Sequence, residues 1–426
     1  MAYRIAGIDV HKKMLAVVVA DVEVEGEYEF AGQRFGSHPE ELRRLSAWLS
    51  QQGVEEVVMA STAQYWQPVW GALERSWKPV CHRREGAGGM SGGLPLAQAQ
   101  SNRGRKGGKK DFPDAERLVK RLVAQELILS FVPEAEQRLW RAVTRRKYQL
   151  TRNRVQLPNR LESLLEEAHS KLSSLVSDLL GVSAPALAEG ETNPLALAAL
   201  ADQRLRASEA QLTDALGACT ELHPVYRRLL PMALPELPFL EQPRDQREQE
   251  IAALLRQHED AVQRLAEVPG LGVDSAQQII AEVGATAATF ASAQTLASWV
   301  GACPGDEESA EVSKSHRSPK GSRHMRRLLN QAANAAVRTK GSIFQIVYRR
   351  LVPRLGHHHT IGAIAHRLGR LIWLILHRGV RYEERGPAVS QRSLRQRTRK
   401  MIRELQKLGY RVERLSVVAN APAPAQ

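Results

Sequence analysis

The chain has 426 residues, of which 43% are hydrophobic and 25% are charged, so it can bury cores and is not a disordered protein. Its length predicts two or three domains. Lys and Arg outnumber Asp and Glu by 60 to 46, which leaves a net charge of +14. This excess favours a polyanionic partner such as nucleic acid, although membrane surfaces and ribosomes also attract basic proteins.

The cysteines and the apolar runs indicate the compartment. Three widely spaced cysteines exclude a disulfide framework and a Cys-x-x-Cys metal site. The N-terminus, MAYRIAGIDVHKK, lacks the apolar core and cleavage site of a signal peptide. The apolar run Leu371–Leu376 is far shorter than the roughly 20 residues of a membrane span. We therefore expect a cytoplasmic protein without a membrane span.

The first third of the chain alternates strand-like and helical patterns. Three β-rich runs predict an antiparallel meander over Tyr3–Val10, Met14–Val22 and Gly26–Phe35. Helix, strand, helix and strand are then predicted over Pro39–Gln52, Val54–Ala60, Tyr65–Trp77 and Pro79–Arg84. Three hairpin strands followed by this alternation are the element order of an α/β ribonuclease H-like fold, which is the fold class that we predict for this region.

A glycine-rich stretch, Gly86–Lys110, shows neither strand nor helix periodicity. Its last part carries five basic residues, Arg103, Arg105, Lys106, Lys109 and Lys110. A flexible basic loop can follow a phosphate backbone, and it can equally be a solvated linker. A helix over Pro113–Gln125 is predicted next.

Residues 134–180 predict one long helix, because leucines recur at intervals of three, four and seven. Pro158 is expected to kink or interrupt it. The first half is rich in arginine and includes Arg145 and Arg146. These arginines are either the solvated face of a coiled-coil arm or a surface that binds along a nucleic acid. A looser stretch (183–200) and another helical segment (201–217) follow.

From about Leu265 the pattern predicts an all-helical domain. Val268–Gly272 and the helix predicted over Asp274–Val283 are typical of a helix-hairpin-helix motif, in which Gly270 and Gly272 would let backbone N–H groups face a phosphate. A Pro-Gly-x-Gly turn is common, so this signal is modest. In the basic tail, residues 386–426, apolar positions around Met401 indicate an amphipathic helix.

Three aspartates are candidate ligands of a divalent cation. Asp9 lies within an apolar strand, where a charge is costly unless it is paired or binds a cation. Asp111 and Asp114 lie three residues apart at a helix start, and a ribonuclease H-like fold can bring all three together. Such a cluster suits Mg²⁺. The alternative for Asp111 and Asp114 is ordinary capping of their helix.

Ser309 is the candidate nucleophile, in a polar stretch that we interpret as a loop. Basic residues follow it, and they can stabilise charge that develops on a phosphodiester. They include Lys320, Arg323, Arg326 and Arg327. Most serines in polar loops have no catalytic role, and that alternative stays open.

Two other features are weaker candidates. Cys303 is a rival nucleophile, but it follows an apolar helix and has the character of a packing residue. The run His357–His359 has no acidic or cysteine partners nearby in the sequence, and we interpret it as an exposed loop rather than a metal site.

Several motifs occur in a fixed order along nearly the whole chain. In the N-terminal part they are Gly7–Lys12, Met59–Trp66, Lys110–Ala115 and Ser130–Pro133. In the C-terminal part they are Val268–Gly272, Gly301–Pro304, Glu308–Ala310 and Pro319–Arg323. Together they resemble the motifs of the DEDD transposases of bacterial insertion sequences, the insertion-sequence-110 family, which also includes the Piv-type DNA invertases.

The resemblance implies four regions: a RuvC-like domain (1–132), a helical or coiled-coil arm with its linker (133–262), a C-terminal transposase domain (263–385) and a basic tail (386–426). It implies a Mg²⁺ site at Asp9, Asp111 and Asp114. It also implies that Ser309 forms a phosphoserine link to the cut strand before strand exchange. The active site is expected to assemble between protomers of a dimer or tetramer.

The resemblance also implies partners. Members of this family use a structured non-coding RNA from their own element to pair with donor and target DNA. We therefore expect element ends, target DNA and such a guide RNA as partners, and a location at the bacterial nucleoid.

One position departs from the family pattern. The second acid of the family falls in a Met-Glu-Ser-Thr motif, and this chain has Ala60 there. Glu55 and Glu56 lie too far along the strand, by roughly 13 Å for Glu56, to share the ion. A smaller departure is Ala310-Glu311, where many relatives have Ala-Gly-Lys.

Two rival functions stay open, and Ala60 favours the second. One is a RuvC-like nuclease that hydrolyses branched DNA with metal-activated water. The other is a catalytically decayed transposase that still binds its RNA or its element ends. A water in place of the missing ligand, or a deliberate substitution, would also account for Ala60.

Overall fold

The computed structural model describes residues 3–22, 28–61, 63–79, 93–99, 101–102, 111–167, 174–175, 193–199, 207–217, 249–303, 307–309, 312–315, 318–384, 391–407 and 409–412. The chain forms two compact units, Met1–Glu134 and Ala135–Gln426.

The first unit is a mixed sheet with helices. Its strands are β1 (Arg4–Val10), β2 (Met14–Asp21), β3 (Ala31–Gly36), β4 (Glu56–Ser61), β5 (Leu96–Ala97) and β6 (Leu129–Ser130). Its helices include α1 (Pro39–Gln51), α2 (Trp66–Ser76) and α3 (Asp111–Val123). The strand order is β3-β2-β1-β4-β5-β6; β1, β4 and β5 run parallel, and the other neighbouring pairs are antiparallel. The predicted antiparallel meander and the strand and helices after it are confirmed.

One strand prediction for this unit is not tested, and one prediction is wrong. The strand predicted over Pro79–Arg84 lies outside the described residues except for Pro79. The prediction that no strand occurs between Gly86 and Lys110 is wrong, because Leu96 and Ala97 pair with Met59 and Ala60 as β5. Two residues are too few to show a period, and only the neighbouring strand supplies their hydrogen-bond partners.

The two faces of β1 pack against different helices. Ala6, Ile8 and Val10 belong to the core that also holds Leu45 of α1 and Leu73 of α2. Because side chains alternate along a strand, Ile5, Gly7 and Asp9 lie on the other face.

Helix α3 covers that second face of β1. A Cβ at Gly7 would lie 2.3 Å from the carbonyl oxygen of Ala115, so only glycine lets α3 approach β1 this closely. Ile5 shares its core with Ala115, Leu118 and Val119 of α3. The first turn of α3 therefore comes down on the face that carries Asp9.

The second unit is mostly helical. Its helices include α4 (Ala135–Glu167), α5 (Pro194–Ala199), α6 (Glu209–Gly217), α7 (Glu259–Ala266), α8 (Val273–Val283), α9 (Ala293–Val300), α10 (Arg323–Ala336), α11 (Ile343–Arg378) and α12 (Gln391–Lys407). Two short strands, β7 (Glu307–Ser309) and β8 (Val312–Ser315), form an antiparallel pair. The amphipathic helix predicted in the tail corresponds to α12.

Helix α4 continues through Pro158 to Glu167, so Pro158 does not interrupt the helix, and the alternative that it kinks the helix stays a prediction. Leu157 and Leu161 on either side are almost fully buried, at 1% and 3% exposure. Their packing offsets the hydrogen bond that proline cannot make. The predicted end near residue 180 lies outside the described residues.

Helix α11 is broken at Gly356, whose φ is 72°. His357–His359 begin its second half and are helical, so the interpretation of this run as a loop is wrong, although its side chains are exposed. Among the described residues, none of the helices combines the length and apolar character required to cross a membrane.

Candidate active site

Asp9 lies one residue before the end of β1, on the face that α3 covers. Its side chain is 17% exposed. Asp111 is the first residue of α3, and its side chain is 33% exposed. The close contact of α3 with Gly7 therefore brings a carboxylate from a strand and one from a helix start to the same place.

His11 joins the two carboxylates. Its Nε2 lies 3.1 Å from Oδ2 of Asp9 and 3.3 Å from Oδ1 of Asp111. One potential ligand atom from each of the three residues lies within 4.8 Å of the other two, and no other such group occurs among the described residues. The sequence analysis missed His11. Its position two residues after Asp9, on the same side of an extended chain, is a signal that could have identified it.

Asp114 lies one turn further along α3 and is partly neutralised. Arg117 donates from Nη1 to Oδ1 of Asp114 at 2.7 Å. Asp114 is not in the group of three close ligand atoms, but its negative charge still acts on Asp9.

Burial raises the pKa of the Asp9 carboxyl, and it is the largest effect on that group. The negative charges of Asp114 and Asp111 raise it further, whereas His11 opposes the rise through its charge and its hydrogen bond. The effect of His11 is therefore too small to offset the effect of burial on the pKa of Asp9. A divalent cation at this place would stabilise the ionised form of Asp9.

The donor set fits a divalent cation. Two carboxylates supply the hard oxygen ligands that Mg²⁺ and Mn²⁺ prefer, and an imidazole nitrogen is a common ligand of transition metals. Arg34 lies beside this group, with its Nη2 3.8 Å from Oδ2 of Asp111.

Ala60 lies directly beside Asp9 in the sheet. The two residues are Cα partners in the parallel register of β1 and β4, so their side chains point to the same face. Ala60 is 4% exposed and belongs to the core below α3. A methyl group thus occupies the position nearest to Asp9 on β4. Glu56, four residues earlier, accepts a hydrogen bond from the Tyr3 hydroxyl at 2.8 Å.

Ser309 is the last residue of β7, where it pairs with Val312 of β8. It therefore lies at the end of a short strand, and its assignment to an irregular loop is wrong. The described residues on the two sides of the Ser309 segment, residues 304–317, are hydrogen-bonded to each other, because the Ser322 amide donates to the Trp299 carbonyl oxygen at 3.1 Å. A Cβ on Gly321 would lie 2.4 Å from the backbone of Val300.

The residues predicted to bind nucleic acid fall into three groups. The first lies outside the described residues: Arg103, Arg105, Lys106, Lys109 and Lys110. The second is exposed on the second unit: Arg146, Lys320 and Arg323. The third comprises the arginines that contact other parts of that unit and the two hairpin glycines: Arg145, Arg326, Arg327, Gly270 and Gly272.

The arginines of the third group are engaged within the protein. Arg145 donates from Nε and Nη2 to the two carboxylate oxygens of Glu282 at 2.7 and 2.8 Å. The guanidinium of Arg327 lies 3.5 Å from the centre of the Tyr148 ring, and Arg326 donates to the carbonyl oxygen of Pro319. These contacts give all three residues a packing role, and their binding of nucleic acid stays a prediction.

The hairpin glycines differ from each other. A Cβ on Gly270 would lie 2.3 Å from the carbonyl oxygen of Ala332, whereas nothing lies within 4 Å of the Cβ position on Gly272. Asp274, in the first turn of α8, pairs with Lys147 at 2.6 Å. Close packing on α10 therefore requires Gly270, and a carboxylate already lies at the helix start where a phosphate is predicted.

Comparison with known protein families identifies the class. Residues 262–349 match the family model described as Transposase IS116/IS110/IS902 family, and residues 6–170 match the model of the DEDD transposases of IS110, described as Transposase. The two matches together cover more than half of the chain. The protein is thus a transposase, a class of enzyme that binds and cuts DNA.

Within that class, the chain belongs to the IS110 family of DEDD transposases. The RuvC structure of Thermus thermophilus is 14% identical in sequence over 30% of this chain and 99% of RuvC, with a TM-score of 0.21. A TM-score this low does not establish a shared fold. A search of curated proteins gave no match.

Proposed function

We propose that this transposase cuts and exchanges DNA strands through a Mg²⁺-assisted serine nucleophile, guided by a structured non-coding RNA. The observation that carries the proposal is the convergence of Asp9, His11 and Asp111 in a chain of the IS110 family. The β3-β2-β1-β4-β5 order supports a ribonuclease H-like fold for the unit that holds these residues.

Each residue of the acidic group has a proposed role. Asp9 and Asp111 hold the cation, and Asp114 contributes negative charge from the next turn of α3. His11 either completes the ligand set or holds the carboxylates together before the cation binds. When bound, Mg²⁺ supplies Lewis-acid polarisation of a phosphoryl oxygen.

Ser309 is proposed to attack the phosphodiester. Its Oγ forms a bond to phosphorus, the bond from phosphorus to the leaving strand end breaks, and the leaving oxygen takes up a proton as the serine loses one. Exchange follows when the end of another strand attacks the phosphoserine and releases Ser309. Lys320 and Arg323 are exposed close to this segment in sequence, and they are suited to bind the flanking phosphates.

The RNA guide and the composite site follow from the family resemblance. The net charge of +14 supports a nucleic-acid partner in general. We propose that one protomer supplies the carboxylates and another supplies Ser309, within a dimer or tetramer.

Ala60 favours a second candidate, a decayed copy that binds RNA or element ends without cutting. A buried methyl lies beside Asp9, at the position of the family's acid, so the cation would have one oxygen ligand fewer. The intermediate possibility is a metal-dependent nuclease that uses water instead of Ser309.

A denaturing gel of end-labelled element-junction and target DNA separates these functions. The DNA is incubated with Mg²⁺, co-purified RNA and four proteins: the chain itself, Ser309→Ala, Ala60→Glu and, as a matched control, Ser313→Ala on β8. We expect a slowly migrating, protease-sensitive adduct with the chain itself and with Ser313→Ala, and no adduct with Ser309→Ala.

The other outcomes identify the alternatives. An adduct only with Ala60→Glu would show that the mechanism is right and this copy is disabled. Free nicked ends without an adduct in any lane would overturn the serine mechanism in favour of the nuclease. Binding without cleavage in every lane would support the decayed copy.

A further inference from the structure

A cavity of about 740 Å³ lies in the second unit. One wall is a face of α11 on which cavity residues recur every three or four positions from Leu355 to Arg370. The other walls are a face of α10 and the turn after α9. Its volume is in the range of pockets that hold a small ligand.

Basic residues, without acidic ones, line the described part of the cavity. Six of its lining residues are arginines or histidines: Arg326, Arg367, Arg370, His358, His359 and His366. None of the described residues that line it is acidic. Arg326 already donates to the Pro319 carbonyl oxygen. The exposed Arg367 and Arg370 are therefore the guanidinium groups that suit a phosphate, which they can bind through charge-assisted hydrogen bonds.

The same residues do not form a metal site. Cys303 and three histidines line the cavity, but the only group of three close metal-ligating atoms among the described residues is at Asp9, His11 and Asp111. His366 also has one ring nitrogen, Nδ1, 3.0 Å from the carbonyl oxygen of Ala302. A cation would in addition be repelled by the arginines.

The cavity also has an apolar part. Leu329, Leu355, Ala363 and Gly362 contribute surface without charge. Nothing lies within 4 Å of the position that a Cβ on Gly362 would occupy, so this glycine leaves space where another residue would project. An apolar surface beside arginines suits a nucleoside joined to a phosphate, because a base can pack on it while the phosphate is paired.

The position of the cavity connects it with the segment that carries Ser309. Cys303 and Ser318, which both line the cavity, are close to the two ends of that segment. Gly301 is held in a left-handed conformation, with φ of 71°, at the C-terminus of α9. A Cβ there would collide with the Arg326 guanidinium, so this glycine allows the arginine to lie beside the residues that precede the segment.

We propose that this cavity binds one phosphate and its adjoining nucleoside in a single strand of nucleic acid next to the Ser309 segment. The inference rests on the proposed function insofar as the strand is a substrate or guide of the transposase. It does not depend on the identity of the nucleophile.

The test measures binding of a short labelled single-stranded DNA to the full chain, freed of RNA, by fluorescence anisotropy in EDTA. The pair Arg367→Gln/Arg370→Gln removes two cations from the cavity. The matched control Arg349→Gln/Arg350→Gln removes two exposed cations from the same helix outside the cavity. We expect the first pair to weaken binding roughly tenfold or more and the control to weaken it less than about threefold. Equal losses from the two pairs would overturn the proposal.

A second pair of variants changes the shape of the cavity without changing its charge. Gly362→Leu projects into the cavity, whereas Gly362→Ala adds only a methyl, and both replace a helical glycine with a better helix former. We expect roughly tenfold weaker binding with leucine, little change with alanine, and a thermal unfolding temperature no lower than that of the unchanged chain for both. Unchanged binding by a folded Gly362→Leu protein would contradict the proposal.

Competition distinguishes the source of the phosphate. Unlabelled strand should displace the probe at a phosphate concentration at least roughly tenfold lower than a nucleoside monophosphate, which fits the cavity but lacks the rest of the strand, and inorganic phosphate should be weaker still. Displacement by the monophosphate as efficient as by the strand would overturn the strand proposal in favour of a free-nucleotide site. Because no cutting occurs in EDTA, these results are independent of the adduct gel that tests Ser309.

Discussion

Two acidic residues, the half-buried Asp9 in the first unit and the buried Glu282 in the second, have opposite electrostatic surroundings. Asp9 has one partly exposed histidine and two further carboxylates around it, and its pKa is raised, mainly by burial. Glu282 is 2% exposed and is paired with both nitrogens of the Arg145 fork, with Arg141 3.5 Å away. Both groups lie against helices, but only Glu282 has its charge balanced by the chain.

This difference distinguishes a candidate metal ligand, Asp9, from a carboxylate that holds two helices together, Glu282. Burial lowers the pKa of Arg141 to about 10, and Glu282 opposes this change, so Arg141 stays charged at neutral pH. The contacts of Arg141 and Arg145 with Glu282 fix α4 against α8. Around Asp9 the chain supplies too little positive charge, and an external cation is what would complete the group. A buried carboxylate whose charge is not balanced within the fold is therefore a stronger indication of a functional site than burial alone.

The largest effect is expected from Asp9→Asn, which removes the central ligand. We expect Mg²⁺-dependent cutting to fall roughly a thousandfold or more, because a metal contribution of several kcal/mol to the transition state is lost. The gel described above measures it. The matched control Asp21→Asn, at the end of β2, should cut normally.

Asp9→Asn should also leave the metal-free protein at least as stable. The raised pKa means that neutral Asp9 stabilises the fold below its ordinary value near 3.8, and that this contribution is lost as the pH rises through the raised value. Asparagine cannot ionise, so at any pH above the raised pKa it avoids the cost of a partly buried charge. A large drop in unfolding temperature in EDTA at pH 7 would contradict this explanation of the site.

Glu282→Gln, in contrast to Asp9→Asn, should destabilise the protein. It leaves Arg141 and Arg145 without their carboxylate, and we expect the free energy of unfolding to fall by about 2–4 kcal/mol; the 40% exposure of Arg145 reduces the loss. Urea unfolding of the variant and of an exposed control on α4, Glu162→Gln, measures it. A loss no larger than that of the control would mean that Glu282 does not hold the two helices together.

Ala60→Glu should add a ligand to the proposed metal site at Asp9, His11 and Asp111. A third carboxylate beside Asp9 raises the repulsion, so we expect a loss of about 1–3 kcal/mol in EDTA. With metal, we expect roughly tenfold tighter binding of Mn²⁺ by calorimetry. Ala60→Gln is the control for size, and equal Mn²⁺ affinities for the two variants would show that position 60 does not reach the cation.

The smallest effect is expected from His11→Gln, because the histidine side chain is 45% exposed. If the imidazole is a ligand, affinity for Mn²⁺ should fall by up to about tenfold and affinity for Mg²⁺ by less, since nitrogen ligands favour transition metals. Equal changes for both ions would assign His11 a positioning role. For every variant that keeps Asp9, metal affinity should fall as the pH is lowered through the raised pKa of that residue.

The sequence by itself determined the elements and the family. Runs of β-favouring apolar residues predicted β1, β2 and β4, and helical spacing predicted α1 and α2. Ordered motifs indicated the IS110 transposases. These signals are local or are carried by residue identity. Asp9 was also recognisable as a candidate, since a carboxylate within an apolar strand is costly unless it is paired or binds a cation. Asp111, at a helix start, was a candidate only together with Asp9, because helix capping explained it equally well.

Only the tertiary structure decided which charges meet. His11 lies between Asp9 and Asp111, and Ala60 lies level with Asp9, because Gly7 lets α3 rest on β1 and because β1 and β4 pair in one register. Arg145 and Arg327 could not be distinguished in sequence from exposed arginines, since their partners Glu282 and Tyr148 lie more than a hundred residues away. The cationic cavity combines two helices and a turn, so no local pattern contains it. Charge composition is a property of the chain, whereas charge balance depends on neighbours that only the packed fold supplies.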